Sequence, residues 1–258
     1  MGRVWQRNCP IIAFVLILAL DTSSPSGSIA ILRDDKIIAT TSAWTGEIYS
    51  SRIFRQLESL MDGLSLAFAD LDLLAVVAGP GSFTGLRVGL AAVKAWSEVY
   101  RKPIAAVSAL EAVAAQSISR ASILVPVLDA RRAQIYYGIY KRAAVAPDAS
   151  VLEPEGDELV STPDEFFERL ASRKDLSAMA IVTPVPELLT SALSRYETSQ
   201  PRFTRFCIEQ ASPILAPHVA RLGALHAQQG RLVDSLTLDA NYIRRSDAEL
   251  HWKAPAET

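Results

Sequence analysis

Two lobes of mixed α/β structure are predicted for this chain by three features of its sequence. It opens on three short apolar runs separated by polar turns, the pattern of an antiparallel meander. Strand-like and helix-like segments then alternate at intervals that suit βα crossovers and parallel pairing. After Arg120 the strand-rich pattern starts again, as a second lobe would require. The 258 residues suffice for one large domain or two small lobes. With half of them hydrophobic and 21% charged, the composition is that of a soluble globular protein and excludes a disordered chain.

Each element follows from local pattern. Ala13 to Asp21 is continuously apolar, Thr22-Ser23-Ser24-Pro25-Ser26-Gly27 supplies turn chemistry, and Ser28 to Leu32 is apolar again. Asp34-Asp35-Lys36 makes another turn before a third strand, Lys36 to Ala43. From Ser50 to Leu66, Ile53, Phe54, Leu57, Leu60 and Met61 recur at helical spacing. A buried strand, Leu73 to Ala78, leads through the turn Gly79–Ser82 into a helix from Phe83 to Tyr100; a strand at Ile104–Val107 leads into a helix at Ala109–Ser117. Beyond Arg120, Ile123–Leu128 and Gln134–Tyr140 read as strands around Asp129-Ala130-Arg131-Arg132, and Ala143 to Asp157 as a polar connection. Pro163–Leu170 is a helix with proline in its first turn, followed by a strand at Met179–Val182 and a helix at Pro186–Leu193. Pro213–Gln229 is a last long helix ended by Gly230. The expected division is a first lobe of residues 13–119 plus about 213–245, a second lobe of 120–212, an N-terminal extension of 1–12 and a loose tail of 246–258. A meander followed by βα units, then a related second lobe, matches the ribonuclease-H-like layout of actin-like and sugar-kinase-like proteins; layout alone assigns no chemistry.

Bulk properties exclude several classes of function. Twenty-six basic against 28 acidic residues give no electrostatic footprint of a dedicated nucleic-acid binder. Cys9 and Cys207 are too far apart in sequence for a C-x-x-C pair, which speaks against structural zinc or a redox dithiol and suits a reducing cytoplasm. Arg3 and Arg7 before the apolar run Ile11–Leu20 imitate a secretory signal, but the run ends in Ala19-Leu20-Asp21 without a small-residue cleavage site, and a bilayer span needs about twenty apolar residues. A cytoplasmic protein without membrane attachment is expected.

The sharpest local feature is Gly79-Pro80-Gly81-Ser82-Phe83-Thr84-Gly85-Leu86-Arg87-Val88-Gly89, between a buried strand and a helix. Glycines there allow tight turning and close backbone approach, Ser82 or Thr84 can cap the helix, and a helix N-terminus so built can hold an anion. No glycine-lysine pair makes it a P-loop, and Thr84 stands where G-x-G-x-x-G needs its third glycine. Asp21, Thr22 and Ser23, with Gly81 and Ser82, are therefore candidate nucleotide or phosphate contacts, set against an ordinary strand-to-helix turn. Gly85, Gly89 and Ala92 line one helix face, with Trp96 beyond; this small face packs either inside the fold or against a partner. A proline precludes a nucleophile elbow at Ser82, and His218, His226 and His251 lack zinc-ligand spacing, so neither catalytic residues nor a metal site are expected.

The Gly79–Gly89 run, the opening Leu18-Ala19-Leu20-Asp21-Thr22-Ser23 and Leu128-Asp129-Ala130-Arg131 together closely resemble the TsaB family, also called YeaZ, in order and spacing. The resemblance spans about residue 15 to Arg245 and includes Asn241-Tyr242-Ile243-Arg244. It implies a two-lobed actin-like (ASKHA) fold and a non-catalytic scaffold that pairs with a TsaD-type catalytic subunit and, with a TsaE-type ATPase, supports threonylcarbamoylation of the tRNA adenosine beside the anticodon. Also implied are tRNA contact only through the complex, self-pairing as an open option, and no cofactor of the chain's own, with ATP or ADP at most at the complex interface. Family pairing through helices of the first lobe makes Ile53, Leu57, Gly85, Gly89, Ala92 and Trp96 interface candidates. Many relatives carry Glu-His-Ser or Glu-His-Thr before the first helix, where this chain reads Glu47-Ile48-Tyr49-Ser50-Ser51. The rival reading is an ATP- or metal-dependent hydrolase or peptidase-like member of the same superfamily.

Overall fold

The computed structural model describes residues 15–42, 49–143, 151–199 and 207–244. The expected extension 1–12, the tail 246–258, the Glu47-Ile48 departure, Cys9 and His251 lie outside them.

The first sheet is built around β1 (Leu16–Asp21). Antiparallel to it lies β2 (Ser28–Arg33), and antiparallel to that β3 (Lys36–Ser42). On the other side β4 (Leu73–Gly79) and then β5 (Ile104–Ser108) run parallel, giving the order β3-β2-β1-β4-β5. Between β3 and β4 comes α1 (Tyr49–Gly63); α2 (Phe83–Tyr100) joins β4 to β5, and α3 (Ala109–Ala114) follows β5.

The second sheet repeats that plan. Strand β6 (Ile123–Arg131) pairs antiparallel with β7 (Gln134–Tyr137), which pairs antiparallel with β10 (Leu159–Ser161). On its other side β11 (Met179–Thr183) and β12 (Cys207–Gln210) are parallel, so the order is β10-β7-β6-β11-β12. Two sheets with the same meander-then-parallel order make this a two-lobed actin-like fold. Helices α4 (Pro163–Ala171) and α5 (Glu187–Ser199) pack on this sheet and on each other, and α6 (Ala216–Gln228) returns to lie across β1, β2, β4 and β5.

Both faces of the first sheet are covered, which is why β1 is buried at every residue. Leu16, Leu18 and Leu20 join Ile29, Ile31, Leu74 and Val76 under α1 and α2. Ile17 and Ala19 join Ala30, Ala75 and Ala105 under α3 and α6. The alanines on that side let α6 come close: a Cβ on Gly223 would stand 2.7 Å from that of Ala75. Helix α3 is buried throughout and packs against β6 and β11 as well as α6, so the two lobes share one apolar layer.

Several boundaries differ from expectation for local reasons. Gln134–Tyr140 is two strands: β7 ends at Tyr137, and β8 (Tyr140–Arg142) pairs with the other end of β6 and with β9 (Leu152–Pro154). The break falls at Gly138, where a Cβ would press on the Tyr140 ring at 3.0 Å. The stretch read as a polar connection therefore holds β9, with residues 144–150 outside the description. Helix α1 stops at Gly63, because Ser65 adopts a left-handed φ of 53° and the Leu66 N–H returns to the Met61 carbonyl at 3.0 Å. Helix α6 starts at Ala216, with Pro217 in its first turn, and Gly230 ends it with φ 70°.

Candidate functional site

The turn after β1 meets the glycine-rich turn after β4, outside the carboxyl ends of neighbouring parallel strands. In open α/β sheets that crevice is where ligands bind. Asp21 is fully buried there. Its Oδ1 accepts from the Ser23 backbone N–H at 2.8 Å and the Ser23 hydroxyl at 2.6 Å, while Oδ2 has no hydrogen-bond partner among the described residues. Burial pushes the Asp21 carboxyl up to about 6, against a smaller lowering by the two Ser23 hydrogen bonds. Thr22 is also fully buried, and its Oγ1 has no partner among the described residues.

The glycines explain how the two turns fit. A Cβ on Gly81 would lie 2.6 Å from the Ser23 carbonyl oxygen and 2.6 Å from its Cβ, and the Ser82 N–H donates to that oxygen at 2.7 Å. A Cβ on Gly85 would run into the Thr22 carbonyl oxygen, and one on Gly89 into the Thr22 hydroxyl. Ser82 caps α2, its Oγ accepting from the Gly85 N–H at 3.3 Å. Gly79 has φ 134° and a cis peptide to Pro80, and the Asn241 carbonyl oxygen lies where its Cβ would project.

All five candidate phosphate contacts, Asp21, Thr22, Ser23, Gly81 and Ser82, are thus brought together, but packed upon one another. The Thr22–Ser23 backbone and side chains lie against Gly81, Gly85 and Gly89. Among the described residues no group of histidine, cysteine and carboxylate side chains is arranged to hold a metal ion. His226 is buried and pairs with Glu111 through Nε2 at 3.1 Å. At the tip between β6 and β7, Arg131, Arg132 and Ala133 all have positive φ, and Asp129 accepts from the Arg131 N–H at 2.7 Å.

The interface candidates divide. Gly85 and Gly89 face Thr22 of their own chain, Ala92 is buried, and Ile53 and Leu57 sit in the core beneath α1. The small face of α2 is therefore filled from within, the alternative that the sequence left open. Trp96 alone of the six reaches the surface in part, and it belongs to an aromatic row that spacing did not reveal. Phe54 meets Trp96 edge-on at 6.1 Å, Trp96 meets Phe68 at 5.0 Å, and Phe68 stacks on Tyr100 at 5.0 Å. Phe54 is 48% exposed, Tyr100 39% and Val99 71%, and Ala91 and Ala95 are exposed beside them on α2. The sequence puts Phe54 in one helical period with Ile53 and Leu57, but a period locates the face and not its edge, and Phe54 lies at the exposed edge. A separate groove between β3 and α1, lined by Thr40, Thr41, Gln56, Ser59 and Leu60, lies two strands away from β1.

Comparison with known proteins places this geometry. Residues 45–159 match the family model described as TsaD, tRNA N6-adenosine threonylcarbamoyltransferase. The chain is 35% identical over 153 residues to the tRNA threonylcarbamoyladenosine biosynthesis protein TsaB of Bacillus subtilis, an alignment covering 57% of this chain and 67% of that protein. To the Escherichia coli protein of the same name it is 28% identical over 156 residues, 60% of this chain and 65% of that one. The fold of YeaZ from Pseudomonas aeruginosa superposes with a TM-score of 0.68 at 23% identity, over 88% of this chain and 99% of that one. With the glycine-rich turn locked on the Asp21 turn, two sheets of like order and these relatives, the chain belongs to the TsaB (YeaZ) family.

Proposed function

We propose that this protein serves tRNA threonylcarbamoyladenosine biosynthesis as a non-catalytic subunit that pairs with a TsaD-type transferase, with a TsaE-type ATPase completing the assembly and tRNA reached only through it. The observation that carries the pairing is the outward surface shared by α1, α2 and the short turn at Phe68–Asp70. Phe54, Phe68, Trp96 and Tyr100 form a continuous aromatic row there, flanked by Ala91, Ala95 and Val99, where small side chains admit a partner helix. Aromatic side chains supply most energy at such surfaces, and contiguous exposed apolar patches mark interaction sites. The packing of Thr22 and Ser23 into the glycine cradle supports the non-catalytic part, since the crevice that would receive phosphates is lined by side chains of the same chain. ATP or ADP would then bind, if at all, with the partner.

The test is to mix the purified chain with the TsaD-type subunit of the same organism and weigh the product by light scattering on gel filtration. Ala95→Arg and Val99→Arg place a long cation on the exposed row without touching the core. A complex with the parent chain and none with either folded variant is the expected result. No complex with the parent under any nucleotide condition would overturn the pairing, and a dimer of this chain alone, lost in the same variants, would assign the face to self-association. Gly85→Leu and Gly89→Leu are unsuitable, because both side chains would collide with Thr22 and report on folding.

A further inference from the structure

The last described stretch ties together parts of the molecule that are distant in sequence. After α6, Val233 makes a two-way antiparallel bridge with Ile104 at the start of β5, and Leu238 is buried in the core beneath α1 and α2. The chain then crosses the crevice. The Asn241 N–H donates to the Ala78 carbonyl at 2.7 Å, and its own carbonyl oxygen sits against Gly79, so the backbone is fixed to the end of β4 in the first lobe. Its side chain points the other way, Nδ2 donating to Glu158 Oε2 at 2.8 Å in the second lobe. Tyr242 returns to the first lobe: its ring packs on Phe83 at 4.9 Å, and its hydroxyl accepts from Arg87 Nε at 3.2 Å. Arg244 crosses again, its guanidinium donating to the Ala130 carbonyl at 3.0 Å at the tip of β6.

Glu158 is the common anchor. It also accepts from the Tyr140 hydroxyl at 2.6 Å within the second lobe, and from the hydroxyl of Ser108, the N-cap of α3 in the first. A tail merely resting on the surface would satisfy its polar groups from one lobe and from water. Here successive residues alternate between lobes, and the asparagine splits its backbone and side chain between them.

We propose that Leu238–Arg244 is an interlobe strap that holds the crevice closed, with Glu158 as its anchor in the second lobe and the buried helix α3 as the hinge about which the lobes would open without it. The shared apolar layer around α3 keeps the lobes joined on the far side, and on the crevice side only the Ser108 bond to Glu158 would remain, so losing the strap loosens the crevice without separating the lobes. This inference rests on contacts within the chain and stands whichever partner the protein binds.

The strap is tested in the full chain by measuring the distance between spin labels in the two lobes. Cys9→Ser and Cys207→Ser clear the background, and exposed Ser59→Cys on α1 and Ser191→Cys on α5 carry the labels. The parent chain is expected to give one narrow separation. Asn241→Ala/Tyr242→Ala/Arg244→Ala is expected to lose it to a broad distribution reaching longer distances, with the helical signal and unfolding cooperativity retained. Tyr242→Ala/Arg244→Ala, which alters only side chains at the surface end of the strap, decides by the same criterion should the triple variant not fold. An unchanged narrow distribution in a folded variant would overturn the proposal and leave Leu238–Arg244 a passive tail.

Discussion

The glycine at position 89 permits a quantitative test of how the two turns are fitted together. Gly89 lies inside α2, where alanine is intrinsically favoured by about 0.8–1.0 kcal/mol. Its Cβ, however, would be driven into the Thr22 hydroxyl, with the Thr22 Cβ and Cγ2 each at 3.4 Å. Relieving such overpacking costs typically about 1–3 kcal/mol. Gly89→Ala should therefore destabilise by up to about 2 kcal/mol despite the propensity gain. Thr22→Ala removes the obstructing hydroxyl, which has no hydrogen-bond partner to lose among the described residues. In that background Gly89→Ala should become neutral or stabilising, giving a coupling of about 1–3 kcal/mol in a double-mutant cycle. At position 85 the obstacle is the Thr22 backbone carbonyl, so Gly85→Ala should destabilise equally in both backgrounds. Urea unfolding of the single and double variants measures every term. A Gly89–Thr22 coupling within about 0.5 kcal/mol of zero, the scatter of independent sites, would refute the packing, and so would rescue of Gly85→Ala by Thr22→Ala.

Three further outcomes follow from other parts of the molecule. Asp21 holds its proton up to about 6 against an ordinary 3.8, so its contribution to stability is full below 3.8 and is lost as pH rises through about 6. Asp21→Asn lacks that dependence, and its stability relative to the parent should improve by up to about 3 kcal/mol between acid and neutral pH; a pH-independent difference in urea midpoints would count against a buried carboxyl. Thr162 caps α4 in a reciprocal box with Glu165, so Thr162→Ala should cost about 1 kcal/mol by thermal or urea unfolding, and Thr162→Ser much less. Ala95→Arg, on the exposed row, should change stability by no more than about 0.5 kcal/mol while abolishing the proposed complex with a TsaD-type subunit; a large loss of stability would show that position 95 is not the free surface it presents.

Much of the architecture is legible in the sequence because most of its elements carry strong periods or caps. β1 and β4 are unbroken apolar runs, as strands buried on both faces must be, and α4 announces itself by Thr162, Pro163 and Glu165. The strands that escape notice, β9, β10 and β12, are three or four residues long with mixed polarity, and owe their existence to pairing partners outside their own segments. No local window contains that information. The same limit divides Gln134–Tyr140, where the residue between the two strands is a glycine whose role depends on a tyrosine ring packed against it.

The glycine-rich segment shows where legibility ends in the site itself. Glycines at 81, 85 and 89 declare that something approaches the start of α2 too closely for a side chain, and a phosphate, a partner helix or the same chain would each require them. The approaching group is Thr22–Ser23, more than fifty residues earlier in the chain and brought there by the parallel pairing of β1 with β4. That single fact has two consequences for function. It packs the candidate phosphate contacts upon one another, and it turns the glycines of α2 inward. Trp96 and Tyr100 continue the same stripe beyond the contact with Thr22, and with exposed Ala91, Ala95 and Val99 on the neighbouring stripe they are the part of α2 left to meet a partner. Residues that make α2 fit its own fold are thereby separate from those that would make it bind, and substitutions at Gly89 and at Ala95 should dissociate stability from assembly.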